Sequence, residues 1–192
     1  IERLLEHGEM EARLQIARPD DKLKIRSLAW TGDEVGNRLR LEGYAKHMKN
    51  LLAEWPASTI VLGYGVNDAF AGEAGLAEFR EHYAVHLKQL AHLHPGAQFV
   101  LLSPVSTESA ETEIYSNAIA ELAAEHNAVF VDLHSPTSRQ GLLESGIYLN
   151  SEGNSLVAKA IADALLKLRG LAESDSRHLA EVAKAASAKH RR

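Results

Sequence analysis

The sequence contains no cysteine. Disulfides, thiolate catalysis and cysteine-zinc centres are therefore excluded, although the compartment is not fixed by that absence. No apolar run is long enough to span a membrane. No secretory signal is visible, and the chain opens at Ile1 already inside a helical pattern, so an extracytoplasmic location stays open, as does the oligomeric state. A basic balance is lacking too. Lys and Arg total 21 against 26 Asp and Glu, for a formal net charge of -5 and a pI near 6.1. A nucleic-acid partner is not expected, because phosphate-backbone binding needs a basic face. The terminal Lys189-His190-Arg191-Arg192 is the local exception, and it reads as a solvated helix end.

What is present suits one ordinary α/β domain. The chain has 192 residues, of which 45% are hydrophobic and 24% charged. Residues 1–17 read as a helix stopped by Pro19-Asp20-Asp21. Residues 23–28 alternate apolar and polar side chains, like a short strand. Residues 39–55 read as a helix ended by Pro56. Thr59-Ile60-Val61-Leu62 is a continuous apolar run of the kind found in parallel strands buried on both faces. Helix 76–93, strand 99–102, helix 107–126 with Ser106 or Thr107 as cap, strand 128–132 and helix 152–168 follow. Strand and helix thus alternate, which predicts a parallel sheet with helices on both faces. Residues 1–170 are expected to form one domain. A polar helix over 176–189 lies within an appendage, 171–192.

In such a sheet, the loops that follow the strands share one edge, where ligands bind. Three stretches there carry chemical interest. Trp30-Thr31-Gly32-Asp33 offers a glycine whose N–H can approach a substrate oxygen closely. Gly65-Val66-Asn67-Asp68 offers a carboxamide donor in Asn67. Ser145-Gly146-Ile147-Tyr148-Leu149-Asn150 precedes the helix at 152. Two donors converging on one oxygen would make an oxyanion hole, which stabilises a tetrahedral acyl-transfer intermediate. Taken singly, each loop is ordinary turn chemistry; it is their ordered appearance that carries weight.

Those three blocks together resemble the SGNH, or GDSL-type, hydrolase family. Gly65-Val66-Asn67-Asp68 matches its G-x-N-D block. Residues 29–33 look like its glycine block. Residues 145–154 are similar to its D-G-x-H-L-N block and the helix after it. The resemblance covers nearly the whole chain. It implies a three-layer α/β/α sandwich with a parallel, flavodoxin-like sheet. It implies hydrolysis of esters or thioesters, often acyl groups on sugars or lipids, by a serine nucleophile and a histidine base. It makes Gly32 and Asn67 the oxyanion donors.

Several positions depart from the pattern. The family's G-D-S strand and its serine have no counterpart in this sequence, so the first strand is expected to be missing and this chain, as it stands, to be inactive. Tyr148 stands at the histidine position and Ser145 at the aspartate position, with Glu144 beside it. A phenol ordinarily titrates near about 10 and is a poor base at neutral pH. Tyr148 can instead donate a hydrogen bond, pack against a sugar or acyl chain, or simply cap the pocket.

Other candidates read as structural. Ser103 is followed by Pro104, which blocks a nucleophile elbow. His134, by contrast, lies at a strand end and could face the same edge as the site loops. His92 and His94 suit a solvated helix end. His82 and His86 have metal-ligand spacing but no third ligand, so neither a metal nor a cofactor is expected. Two function classes follow: an esterase acting on acyl esters, including acylated carbohydrate, or a non-catalytic pseudo-hydrolase that binds such a ligand. A purely structural interaction domain using the last helix has less to support it.

Overall fold

Short runs of β-branched and aromatic residues make the sheet. Thr59–Leu62 (β1), Gln98–Leu102 (β2) and Val129–Val131 (β3) pair in parallel in the order β1-β2-β3. Ile60 stands opposite Phe99, and Leu101 opposite Phe130. The computed structural model describes residues 4–38, 50–54, 56–108, 111–144, 146–168 and 179–190. These divide into two units, Gly32–Ser138 and Ile1–Thr31 with Arg139–Arg192.

In the first unit, Leu76–Leu93 (α3) and Thr112–Glu125 (α4) pack on each other, and α4 covers β2 and β3. The apolar stripe of α3, Phe79, Tyr83, Leu87 and Leu90, is buried at helical spacing. Tyr115, Ile119 and Leu122 of α4 join it around Leu62 and Leu101 in one core. Arg80 bridges the two helices by pairing with Glu121 and Glu125.

The second unit is helical. Leu4–His7 (α1) and Glu9–Ala17 (α2) pack with Ser151–Lys167 (α6) and Leu179–His190 (α7). Glu9 Oε1 accepts from Arg13 Nη2 at 2.6 Å and from Ser155 Oγ at 2.8 Å. Ser187 Oγ on α7 donates to the carbonyl of Glu6. Leu143–Glu144 (β4) and Tyr148–Leu149 (β5) form a small antiparallel pair.

The α/β class with a parallel sheet is as expected, while several boundaries differ. The helix over 1–17 is broken at Gly8, whose φ of 70° lies in the left-handed region. No strand forms over 23–28. Leu23 and Ile25 are half-buried while Lys24 and Arg26 are exposed, as in an extended segment. The alternation was real, but a strand also needs a hydrogen-bonded neighbour, which side-chain pattern does not supply. Residues 50–54 are helical, and the rest of the helix expected over 39–55 lies outside the described residues. Double-sided burial holds for β2, where Val100, Leu101 and Leu102 are 0% exposed, but not for β1, whose Val61 is 38% exposed. Among the described residues β1 has a strand neighbour on one side only.

The helix expected from Thr107 begins at Thr112. The residues before it are tied elsewhere: the Ser106 N–H donates to Thr137 Oγ1 at 2.9 Å. Thr137 belongs to His134–Thr137 (α5), a single turn after β3. Ser103 secures the same corner. Its Oγ accepts from the Leu133 and His134 amides at 2.7 and 2.9 Å, and donates to the Pro104 carbonyl at 3.2 Å. This hydroxyl is buried and fully engaged, so Ser103 is a structural turn residue and not a nucleophile. His94 is also buried, contrary to a solvated helix end, with its Nδ1 facing the Ala57 amide at 3.5 Å.

Replacing Ser103 by alanine strands two amides in the interior. At about 1–3 kcal/mol for each unsatisfied buried group, Ser103→Ala should lower folding stability by about 2–4 kcal/mol. Urea unfolding measures this; a change below about 0.5 kcal/mol would contradict the assigned role.

Candidate functional site

The site begins where β1 ends. Leu62 is buried, and after it Gly63-Tyr64-Gly65-Val66-Asn67-Asp68 leaves the sheet and enters a 3-10 turn over Asp68–Ala71. Gly65 makes the bend with φ 113°, a region closed to ordinary side chains. A Cβ there would also press on Pro104 at 3.3 Å.

Asp68 fastens this loop to the glycine segment. Its Oδ2 accepts from the Gly65 amide at 3.0 Å, and its Oδ1 from the Val35 amide at 3.0 Å. The carboxylate is therefore a bracket across a separation of 33 residues. Burial raises its pKa above the usual carboxylate value, outweighing the Val35, Gly65 and Asp68 amides that oppose the shift; Glu34 adds to the rise.

Asn67 lies beside the bracket. Its Nδ2 donates to the carbonyl of Asp33 at 3.3 Å, and Asp33 is the residue after Gly32. Gly32 itself is exposed, with nothing within 4 Å of the place a Cβ would occupy. The Gly32 segment and the Asn67 carboxamide are thus neighbours in one unit.

Tyr64, in the same loop, belongs to an aromatic and cationic cluster. Tyr64 meets Tyr83 and His86 edge to face, each at 5.8 Å. The Arg38 guanidinium lies 5.6 Å from the Tyr64 ring centre, and its Nη2 donates to the Val35 carbonyl at 3.0 Å. Tyr83 is fully buried, and among the described residues its hydroxyl has no hydrogen-bond partner. Burial raises its pKa well above the ordinary phenol value, with Tyr64 and Asp68 adding to the shift. His86 is held neutral, its pKa lowered to about 4 by burial and, secondarily, by Arg38. That neutral ring, packed against Tyr64, is what the His82/His86 spacing contributes; among the described residues no cluster of three or more potential metal ligands occurs.

The third block belongs to the other unit. Asn150 caps α6, its Oδ1 accepting from the Gly153 amide at 3.0 Å while its Nδ2 donates to the Gly141 carbonyl at 2.6 Å. Asn154 Nδ2 donates to the Leu149 and Asn150 carbonyls at 2.9 and 3.0 Å. Tyr148 is half-buried in β5, opposite Glu144. Ser145 lies outside the described residues. His134 opens α5 at the end of β3, its amide held by Ser103.

Sequence reasoning assigned Asp68 to turn chemistry and passed over Arg38 and Tyr64. The adjacency of Asn and Asp was the one available signal for the bracket: two polar side chains in succession on a strand-end turn leave one to face outward and the other inward.

Two variants test this electrostatic picture. Asp68→Asn keeps one acceptor oxygen but turns an NH2 toward the other amide donor, and should cost about 2–3 kcal/mol of stability by leaving a donor unpaired. His86, with a folded pKa near 4 against about 6.5 unfolded, stabilises the fold above pH 6.5 and loses that contribution as pH falls toward 4. The loss should reach roughly 2–3 kcal/mol in urea unfolding, and His86→Phe should remove it. Asp68 acts oppositely: its raised pKa favours the fold below about 3.8 and is lost as pH rises through the folded value. An unchanged acid slope in His86→Phe would exclude His86 as the source.

Comparison with known proteins places this geometry. The family model described as GDSL-like Lipase/Acylhydrolase matches residues 7–156. A search of curated protein sequences found no significant match. Among solved structures, an aryl esterase of M. smegmatis is similar with a TM-score of 0.64 at 16% identity, over 89% of this chain and 87% of that one. Est24, a carbohydrate acetylesterase from Sinorhizobium meliloti, gives 0.59 at 17% identity, over 88% and 87%. A peptidoglycan O-acetylesterase gives 0.58 at 19% identity, over 71% of this chain and 44% of that one. At these identities the likeness is one of fold. The family match covers most of the sequence, and the chain belongs to the GDSL-like lipase/acylhydrolase family.

Proposed function

We propose that this chain supplies the anion-stabilising part of an ester-hydrolase site that acts on acyl esters carried by carbohydrate. The observation that supports the reading is the hydrogen bond from Asn67 Nδ2 to the carbonyl of Asp33, the residue after Gly32. A carboxamide nitrogen has two hydrogens. One is used to orient the group on Asp33, and the other serves a substrate oxygen. The Gly32 N–H is the second donor in this reading. As an ester carbonyl is attacked, its oxygen gains negative charge, and both donors strengthen their bonds to it in the transition state. The structural relatives named above as acting on carbohydrate or peptidoglycan esters support the choice of substrate class.

Removing one such donor costs about 2.7–4 kcal/mol of transition-state stabilisation. Asn67→Ala in the full-length protein should therefore lower kcat on 4-nitrophenyl acetate by about 10²–10³-fold, with a smaller effect on KM. A variant that retains wild-type turnover would sink the assignment of Asn67.

One observation favours a second reading. Tyr148 occupies the family's histidine position, and its backbone is fixed in the β4–β5 pair. In that reading the chain binds an acylated sugar without hydrolysing it. Calorimetric titration of the full-length protein with glucose pentaacetate, beside the turnover assay, separates the two: binding without turnover supports the second, and turnover rejects it.

A further inference from the structure

Phe70 stands three residues beyond Asn67 and is 55% exposed, whereas its neighbour Ala69 is 1% exposed. A single exposed apolar side chain is common on protein surfaces and would by itself call for no explanation. Two features set this one apart.

The first is where the ring points. Asn67 is the helical-conformation cap of the 3-10 turn Asp68–Ala71, with φ -74° and ψ -40°. The Phe70 amide donates to the Asn67 carbonyl at 3.2 Å. In a 3-10 turn, side chains at i and i+3 eclipse one another. Phe70 and Asn67 therefore leave the turn on the same side. The turn is also rigidly held. The Ala69 amide donates to the Gly65 carbonyl at 3.1 Å, and the Gly72 amide to the Ala69 carbonyl at 3.1 Å. Tyr115, itself 0% exposed, donates its hydroxyl to the Gly72 carbonyl at 2.8 Å. The exposed ring is presented on a fixed support.

The second feature is the charge around it. Glu111 approaches Gly72, its Oε2 lying 3.8 Å from the place a Cβ would occupy. Glu111 is itself exposed. Glu73 is exposed on the following turn. An acidic rim opposes phosphate and carboxylate ligands, including phospholipid headgroups and free fatty acids. It suits an uncharged ring rich in hydroxyls, which carboxylate oxygens can accept from. A flat apolar face beside acceptor groups is complementary to a pyranose, with C–H bonds on one face and hydroxyls around its edge.

We propose that Phe70 is a specificity-determining residue: its ring is the platform on which the sugar bearing the acyl ester rests, so that the ester carbonyl meets Asn67. This rests on the esterase reading above and extends it to the sugar that carries the ester. The ring takes no part in the reaction at the carbonyl. Its contribution is to ground-state and transition-state binding alike, which places the effect in KM.

The test compares Phe70→Ala and Phe70→Trp with wild type in the full-length protein, on 6-O-acetylglucose, which keeps free hydroxyls, and on 4-nitrophenyl acetate, which has no sugar. Phe70→Ala should raise KM for 6-O-acetylglucose roughly tenfold with kcat little changed, which is about 1.4 kcal/mol of lost binding. 4-Nitrophenyl acetate should be unaffected, and Phe70→Trp should restore the sugar ester. An equal loss on both esters would mark Phe70 as structural, and no loss on either would mark it as idle; each overturns the proposal. If wild type hydrolyses neither ester, the esterase reading fails separately. Titration with 6-O-acetylglucose then decides: saturable quenching of the additional fluorescence of the Phe70→Trp variant upholds the platform, and its absence overturns it.

Discussion

The carboxylate of Asp68 holds together what the sequence keeps apart. By accepting from Val35 on one side and Gly65 on the other, it fixes the glycine segment against the loop that leaves β1. The position of Asn67 relative to Gly32 depends on that bracket, as does the course of the 3-10 turn beyond it. The arrangement has a cost: burial raises the pKa of Asp68 although backbone amides oppose the shift. An ionised group is kept in a poorly solvated place because no neutral side chain offers two acceptor oxygens in that geometry. Arg38, over the Tyr64 ring and bonded to the Val35 carbonyl, reinforces the same segment from its other end.

The strands β1, β2 and β3 were legible because β-branched and aromatic runs in a buried sheet leave a direct trace in composition. Helix Leu76–Leu93 was legible to the residue, since a regular apolar stripe and a Pro-Gly stop bound it. The start of the helix at Thr112 was not, because it depends on a bond between Ser106 and Thr137 that no local pattern encodes. The failed strand at 23–28 has the same origin: alternation can be read along the chain, whereas pairing depends on a partner elsewhere in it. The exposure of Val61 could not be foreseen, because an apolar run looks the same whether one or both of its faces are covered.

For the candidate site, the three blocks were visible as blocks, but the division of labour within them was not. Asn67 and Asp68 are adjacent and similar in size, yet one touches the Asp33 carbonyl and the other spans two backbone amides. In the third block, the asparagines proved to be scaffolding: Asn150 and Asn154 spend their side chains on capping α6 and on nearby carbonyls. Ser103, the one serine weighed as a nucleophile, has its hydroxyl committed to the turn after β3. Such commitments are set by tertiary neighbours, and a residue's type alone does not reveal them.

The bond between Tyr115 and the Gly72 carbonyl has a thermodynamic consequence for anything that lands on the turns around Phe70. The chain has already given up its conformational freedom there, at the expense of the folding reaction and not of an encounter with a small molecule. Association with that surface would thus carry little ordering entropy, and its time course would show a single concentration-dependent phase with no slow isomerisation behind it.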